Sequence, residues 1–397
     1  MHSKRNSEIK YVLGNMNLSN NILPIFDNTV IEFFDEISQE VKKDKKNFKY
    51  SDLITFGFWC RKSNINNLKK NYYSKNISLG RGNIFHIAPS NVPMNFAYSL
   101  AFGLLSGNNN IVRISSRKFF QVDILCKILK KIIYKKKFKS LKNRICLIKY
   151  EKSDLISAQI SSKSDGRLIW GGDETINLFK KFTTPPRCID LTFPNRYSFM
   201  IIGTNKISDF RETKLNNMIN RFYNDAYLMD QQGCSSPQSI IWVGKNSKKI
   251  QKLFWKKLNN IVALKYANDI SVASKKFSRI SSAAIESDQI FKLEFNNFNL
   301  AKLKMSKLDK NLDKIQCHFG TFVEGSFKNL DEVKNIITNK FQTLIYYGID
   351  HKEVKNFIFE SKLKGIDRIV PVGRAFDMGL IWDGYDIIKN LSRSIGE

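Results

Sequence analysis

Cys234 sits in a setting unlike that of a structural thiol. The stretch Gln231-Gln232-Gly233-Cys234-Ser235-Ser236-Pro237-Gln238 is small and polar, is bounded by Gly and Pro, and precedes an apolar run. Cys126 and Cys146, by contrast, lie among Leu and Ile. A thiol in such a loop can act as a thiolate nucleophile. No His or Lys is adjacent, so activation must come from backbone N–H groups or from residues distant in sequence. On composition alone, the reactive and the inert reading are evenly matched.

Two further loops attract attention, each at the end of a predicted strand. In Pro89-Ser90-Asn91-Val92-Pro93, two prolines fix the backbone and leave the Asn91 amide on a rigid turn, a suitable oxyanion donor. The same residues suit an ordinary helix N-cap region. In Gly171-Gly172-Asp173-Glu174-Thr175, paired glycines allow close approach to a pyrophosphate at a helix N-terminus. Asp173 and Glu174 could equally just cap that helix and favour its dipole. No G-x-S-x-G elbow, Walker A loop or H-E-x-x-H pair occurs, and Gly80-Arg81-Gly82 precedes a strand and reads as a turn.

The elements that must hold these loops follow from periodicity. Residues 1–75 read as mainly helical, with Phe33, Phe34 and Ile37 on one face of a helix over 28–41. From Gly82, short apolar runs (84–88, 110–114, 145–150, 167–170) alternate with amphipathic segments (95–106, 119–134, 155–160), the pattern of parallel βαβ units. A second α/β stretch has strands at 197–202 and 239–243 and helices around 214–224 and over 247–260. An irregular region then runs to about 316, and a helix is expected over 329–339. The expected architecture is α/β, with two doubly wound domains and a helical N-terminal segment. The boundaries expected are 1–75 for that segment, 76–190 for a dinucleotide-binding domain, 191–355 for the domain carrying Cys234, and 356–397 for a segment returning to the site. Such sheets bind ligands beyond the carboxyl ends of their strands.

Composition narrows the class. The 397 residues are 42% hydrophobic, which excludes intrinsic disorder. No apolar run of about 18 residues and no N-terminal signal pattern is present, so a cytoplasmic protein without a membrane span is expected. The six cysteines form no C-x-x-C pair, so no structural zinc is expected. The net charge of +29 is spread along the chain, and its densest run, 130–139, is interrupted by Ile132, Ile133, Tyr134 and Phe138. A solvated surface explains this better than a nucleic-acid footprint, since no nucleic-acid-binding signature occurs.

Taken in order, the loops resemble the aldehyde dehydrogenase superfamily. PSNVP at 89–93 resembles its P-W-N-F-P turn, and Ser106-Gly107-Asn108 with Ile111 to Ser115 resembles its A-G-N-T-V-V-L-K-P-S segment. His318-Phe319-Gly320 resembles its F-G-P segment. WGGDETI (170–176), DQQGCSSPQ (230–238) and DRIVPVGRAFDMGLIWDGYD (367–386) look more closely like the acyl-CoA reductase family, of the LuxC type.

That resemblance implies reduction of an acyl-CoA, or of an acyl-protein thioester, to the aldehyde by NADPH through an acyl-cysteine. It implies Cys234 as nucleophile and Asn91 as oxyanion donor. Cofactor binding falls to Ser90, Arg113, Ser115, Arg117, Gly171, Gly172 and Thr175, with no metal. Arg113-Ile114-Ser115-Ser116-Arg117-Lys118 lacks the acid that follows K-P-S in the oxidising relatives, which favours a 2′-phosphate. Cys317 stands where those relatives carry an acid before F-G. The water-activating Glu has no clear counterpart beyond Asp190. A partner acyl-protein synthetase and a homo-oligomer are implied by analogy. Two other readings stay open: an acyltransferase or thioesterase-like protein using Cys234 without nicotinamide, and a basic nucleic-acid- or anionic-surface-binding protein.

Overall fold

The computed structural model describes residues 8–72, 77–205, 212–245, 247–266 and 270–396. The chain forms two units: Met1–Pro194 with Met378–Glu397, and Asn195–Asp377.

In the first unit, β1 (Lys10–Leu13) precedes three helices, α1 (Asn28–Lys43), α2 (Ser51–Trp59) and α3 (Lys62–Lys69). Asp27 caps α1, its carboxylate accepting from the Thr29 N–H at 2.8 Å. The face carrying Val30, Phe33, Phe34, Ile37 and Val41 is buried. Each such side chain contributes about 1.5–3 kcal/mol by leaving water. Then come β2 (Ile77–Gly80), β3 (Asn83–Ile87), α4 (Asn95–Leu105), β4 (Asn109–Arg113), α5 (Phe120–Ile133), β5 (Ile145–Lys149), α6 (Asp154–Ser161), β6 (Gly166–Trp170), α7 (Asp173–Lys180) and β7 (Ile189–Phe193). The six-stranded sheet runs β1-β5-β4-β3-β6-β7. It is parallel from β5 to β7, and β1 adds an antiparallel edge through Lys10 opposite Lys149. The N-terminal segment is mainly helical, as its sequence suggests, and adds the one strand β1. Its four-residue strand is too short to show a period.

Behind β3 lies a chain of buried polar groups. The Trp170 indole N–H donates to Ser99 Oγ (3.0 Å), and His86 bonds Ser99 through Nδ1 (2.8 Å) and Asn110 Oδ1 through Nε2 (2.9 Å). Asn110 Oδ1 can only accept, so the His86 proton is on Nε2 and Ser99 donates to Nδ1. Burial pulls the His86 pKa down to about 4, so the ring is neutral near pH 7. Gly103 leaves the room: a Cβ there would lie 1.8 Å from Asn110 Oδ1.

The second unit contains β8 (Tyr197–Gly203), α8 (Glu212–Tyr227), β9 (Pro237–Val243), α9 (Ser247–Lys265), α10 (Ile270–Glu286), β10 (Ile290–Asn297), β11 (Leu300–Met305), β12 (Thr321–Phe327), β13 (Phe341–Tyr347), α11 (His351–Ser361) and β14 (Arg368–Pro371). Its seven-stranded sheet runs β10-β11-β12-β9-β8-β13-β14, parallel except for the β10–β11 hairpin. Two apolar layers cover its faces, one around Phe199, Phe341 and Leu344, the other around Phe222, Trp242 and Phe322. The region expected to be irregular up to 316 therefore holds a helix and a hairpin. The helix expected over 329–339 is a short 3₁₀ turn, Asp331–Ile336. The chain closes in the first unit with β15 (Ile381–Trp382), β16 (Tyr385–Asp386), α12 (Ile387–Leu391) and β17 (Ser392–Ile395), which pairs with β2.

Candidate active site

Cys234 lies in the loop between α8 and β9, beside the amino ends of the parallel strands of the second unit. Its side chain is half-buried. The loop is shaped by two residues in the left-handed region, Asp230 (φ 52°) and Gln231 (φ 60°). Gln231 is fully buried and works as a strut. Its Nε2 donates to the carbonyls of Pro237 (2.8 Å) and Thr321 (3.0 Å), while Oε1 accepts from the N–H groups of Gly320 (3.0 Å) and Thr321 (3.2 Å). The Gln231 carbonyl accepts from Gln238 Nε2 at 2.9 Å and from His318 Nδ1 at 2.8 Å. A carbonyl only accepts, so the His318 proton is on Nδ1. Burial pulls the His318 pKa down to about 4. His318 is thus a neutral positioning group.

Two groups bond the cysteine itself, and a third acts on it through its charge. Ser198 Oγ donates to the Cys234 carbonyl at 2.6 Å, and Gln342 Nε2 donates to Sγ at 3.5 Å. The third is Arg368. Burial lowers its pKa to about 10, with Asp377, Cys234 and Asp225 opposing that shift, so it stays cationic near pH 7. A nearby cation and an amide donor both favour thiolate over thiol. Gln342 and Arg368 carry no motif of their own. Arg368 lies inside the DRIVPVGRAFD run that resembles the reductase family, and that was the one sequence signal pointing to it.

Arg368 also holds the segment after β14, donating to the carbonyls of Ala375 (2.5 Å), Arg374 (3.0 Å) and Asp377 (2.5 Å). From the other side Asp225 accepts from the N–H groups of Gly373 (2.5 Å) and Ala375 (2.9 Å). The segment thereby brings Phe376 against the thiol loop, where a Cβ at Gly233 would stand 2.7 Å from the ring.

Burial raises the Asp225 pKa to about 7 despite its two amide donors. Between about pH 4 and 7 the folded chain therefore holds a proton that the unfolded chain has released. This contribution to stability is fully present below the unfolded pKa and is lost as the pH rises through 7. In urea unfolding at pH 5 and pH 8, we expect the wild type to lose roughly 2–3 kcal/mol more than Asp225→Asn. Equal losses would show that Asp225 is ionised throughout.

The remaining candidates lie in the first unit, at one end of one sheet. β3, β4 and β6 are parallel neighbours, with Ile87 level with both Arg113 and Ile169. Their carboxyl ends lead into 88–93, 114–118 and 171–175, so Ser90, Asn91, Arg113, Ser115, Arg117, Gly171, Gly172 and Thr175 share that edge. From β3 the chain winds to β4 and β5 on one side and later returns to β6 and β7 on the other. The crevice at such a reversal is where doubly wound sheets bind ligands. Ser90 and Asn91 are exposed. The Arg113 guanidinium lies 4.3 Å from the centre of the Tyr150 ring. The Arg117 N–H donates to Ser115 Oγ at 3.1 Å, and the Arg117 side chain is exposed beside Phe119. Gly171 packs under Thr175, whose Cβ would be 3.1 Å from an added methyl, and Gly172 precedes α7.

Two residues singled out at the sequence level are engaged elsewhere. Cys317 is 3% exposed, packs in the apolar layer of the second unit, and is pushed up to about 12 by burial. Asp190, on β7, is gripped by Arg167 at 2.7 and 2.6 Å.

The sequence matches the family described as acyl-CoA reductase (LuxC) over residues 61–394. No curated protein matches it. Among solved structures it is similar to lactaldehyde dehydrogenase from Escherichia coli, at 11% identity and a TM-score of 0.65, covering 92% of this chain and 85% of that one. It is also similar to the glyceraldehyde-3-phosphate dehydrogenase GapN from Methanocaldococcus jannaschii complexed with NADP, at 13% identity and a TM-score of 0.63, covering 93% and 88%. A third similarity is to proline utilization A from Bradyrhizobium japonicum, at 11% identity and a TM-score of 0.65. There the match covers 92% of this chain but only 42% of the other, less than half its length. At these identities the likeness establishes the aldehyde dehydrogenase fold. Among the described residues no helix is long and apolar enough to cross a membrane.

Proposed function

Because the chain belongs to the acyl-CoA reductase (LuxC) family, we propose that it reduces an acyl thioester to an aldehyde with NADPH, through an acyl group carried on Cys234. The observation that supports this most directly is the setting of Cys234: a half-buried sulfur beside the Gln342 amide and coupled to the charge of Arg368.

The Cys234 thiolate attacks the thioester carbonyl, and Asn91 is the proposed donor to the resulting oxyanion. Expulsion of the CoA thiolate leaves the acyl-cysteine. The reduced nicotinamide, when bound, supplies the hydride that converts the acyl group to the aldehyde level. Cys234 then departs as thiolate as the carbonyl re-forms, and aldehyde is released. The acyl-cysteine must be spared from water. The acid offered at the relevant stretch, Asp190, is already paired with Arg167, which favours reduction over hydrolysis.

The dinucleotide fits the crevice of the first unit. Ser90, Gly171, Gly172 and Thr175 frame it, and Arg113, Ser115 and Arg117 line the turn after β4. That turn carries no carboxylate to repel a 2′-phosphate, and Arg117 is free to reach one. We read the unit of 1–194 with 378–397 as the cofactor unit and 195–377 as the acyl-carrying unit. A homo-oligomer and a partner that delivers the acyl group remain part of this proposal.

The test is loss of reduced-nicotinamide absorbance on mixing protein, NADPH and an acyl-CoA, with aldehyde trapped as its hydrazone. Turnover of the thioester without NADPH oxidation would instead identify an acyltransferase or thioesterase. Arg117→Ala is expected to raise KM for NADPH about tenfold and leave the constants for NADH unchanged. An equal effect on both cofactors would remove Arg117 from 2′-phosphate recognition.

A further inference from the structure

The sheet of the second unit reverses its winding between β8 and β13. From β8 the chain passes through α8 to β9 on one side, and from β13 through α11 to β14 on the other. Beyond the carboxyl ends of the strands at this reversal lies a cavity of about 340 Å³. Cys234 is at the opposite edge, preceding β9, roughly 20 Å away at about 3.3 Å per strand residue. The cavity is therefore separate from the thiol.

Its chemistry is cationic. Lys214, Met218 and Arg221 of α8 face the ends of β13 and β14 at Tyr346, Tyr347 and Pro371. Among the described residues that line it there are two cations and no carboxylate. Lys214 and Arg221 are two helical turns apart on one face, about 10.5 Å along the axis. Arg221 is held in place along its stem: Gly373, at φ +91°, lies so close that an added Cβ would meet the Arg221 Cβ at 2.8 Å and Cγ at 2.9 Å. A side chain anchored along its stem loses less freedom on binding. The Tyr347 ring, on the face of the sheet that α8 covers, offers a flat surface beside the charges.

We propose that this crevice is a second ligand site, taking a phosphorylated small molecule that bridges Lys214 and Arg221. The site is independent of the thioester chemistry proposed for Cys234. The size is near the lower end for small-molecule pockets, suited to a pyrophosphate or a nucleoside monophosphate.

The test is calorimetric titration of the full chain at low ionic strength with inorganic pyrophosphate and, separately, with AMP. Saturable binding of either is expected. The double variant Lys214→Gln, Arg221→Gln should weaken it about tenfold or more, as loss of charge-assisted bonds to phosphate requires. Arg117→Ala, in the other unit, should leave it unchanged. Tighter binding of AMP assigns the site to nucleotides, and tighter binding of pyrophosphate to simple polyphosphates. Both cations are exposed, so an unaltered melting temperature in the double variant is expected and confirms that the fold is kept. The proposal is overturned if neither probe binds, if the double variant binds as the wild type does, or if Arg117→Ala abolishes binding.

Discussion

Exchange of Cys234 for serine is expected to lower kcat/KM for aldehyde formation by about 10⁴-fold. The hydroxyl is far less acidic than the thiol. The groups gathered around residue 234, the Gln342 amide and the Arg368 cation, can favour a thiolate but cannot deprotonate an alcohol. The loop itself should survive, because Ser198 grips the Cys234 carbonyl rather than its side chain. Thermal unfolding of Cys234→Ser should therefore match the wild type, while labelling by radiolabelled acyl-CoA vanishes. Undiminished aldehyde production by this variant would rule out the covalent route.

The second large effect is on stability. In Gln231→Leu, four buried hydrogen bonds are lost at once, those to the carbonyls of Pro237 and Thr321 and from the N–H groups of Gly320 and Thr321, with only the Thr321 N–H keeping a second acceptor, the His318 carbonyl at 3.0 Å. A buried polar group left unmatched costs about 1–3 kcal/mol, and relaxation recovers part of that. We expect destabilisation of roughly 4 kcal/mol, read as a lower urea midpoint for the unit that contains the residue. Since the same amide spaces the thiol loop from the His318-Phe319-Gly320 turn, kcat should fall as well. A variant unfolding at the wild-type midpoint would mean that the loop is held without this side chain.

Much of the frame was legible because the short apolar runs of the first sheet are punctuated by Gly and Pro. Pro89 and Pro93 bracket the turn after β3, and Gly171-Gly172 separates β6 from α7. Other elements were hidden for identifiable reasons. The β10–β11 hairpin carries Lys292, Glu294, Lys302 and Lys304, which form an ion-pair cluster, so its strands read as polar and irregular. Val333 and Ile336, three apart, fit a 3₁₀ turn as well as an α-helix. At the site, Cys234 stood out by composition. Gln342 and Arg368 did not, since each lies near the start of a strand remote in sequence and comes close to the thiol loop only through parallel pairing. Asp190 had the right residue type, but only the fold revealed that Arg167 already held it.

The contact of Gly233 with Phe376 makes two stretches far apart in the chain a single mutational unit. Any side chain at 233 requires the Phe376 ring to shift or a smaller residue to stand at 376. A library that randomises the thiol loop alone would sample only the side chains that the Phe376 ring can make room for. One that varies both positions together would sample the shapes this scaffold can adopt around its sulfur.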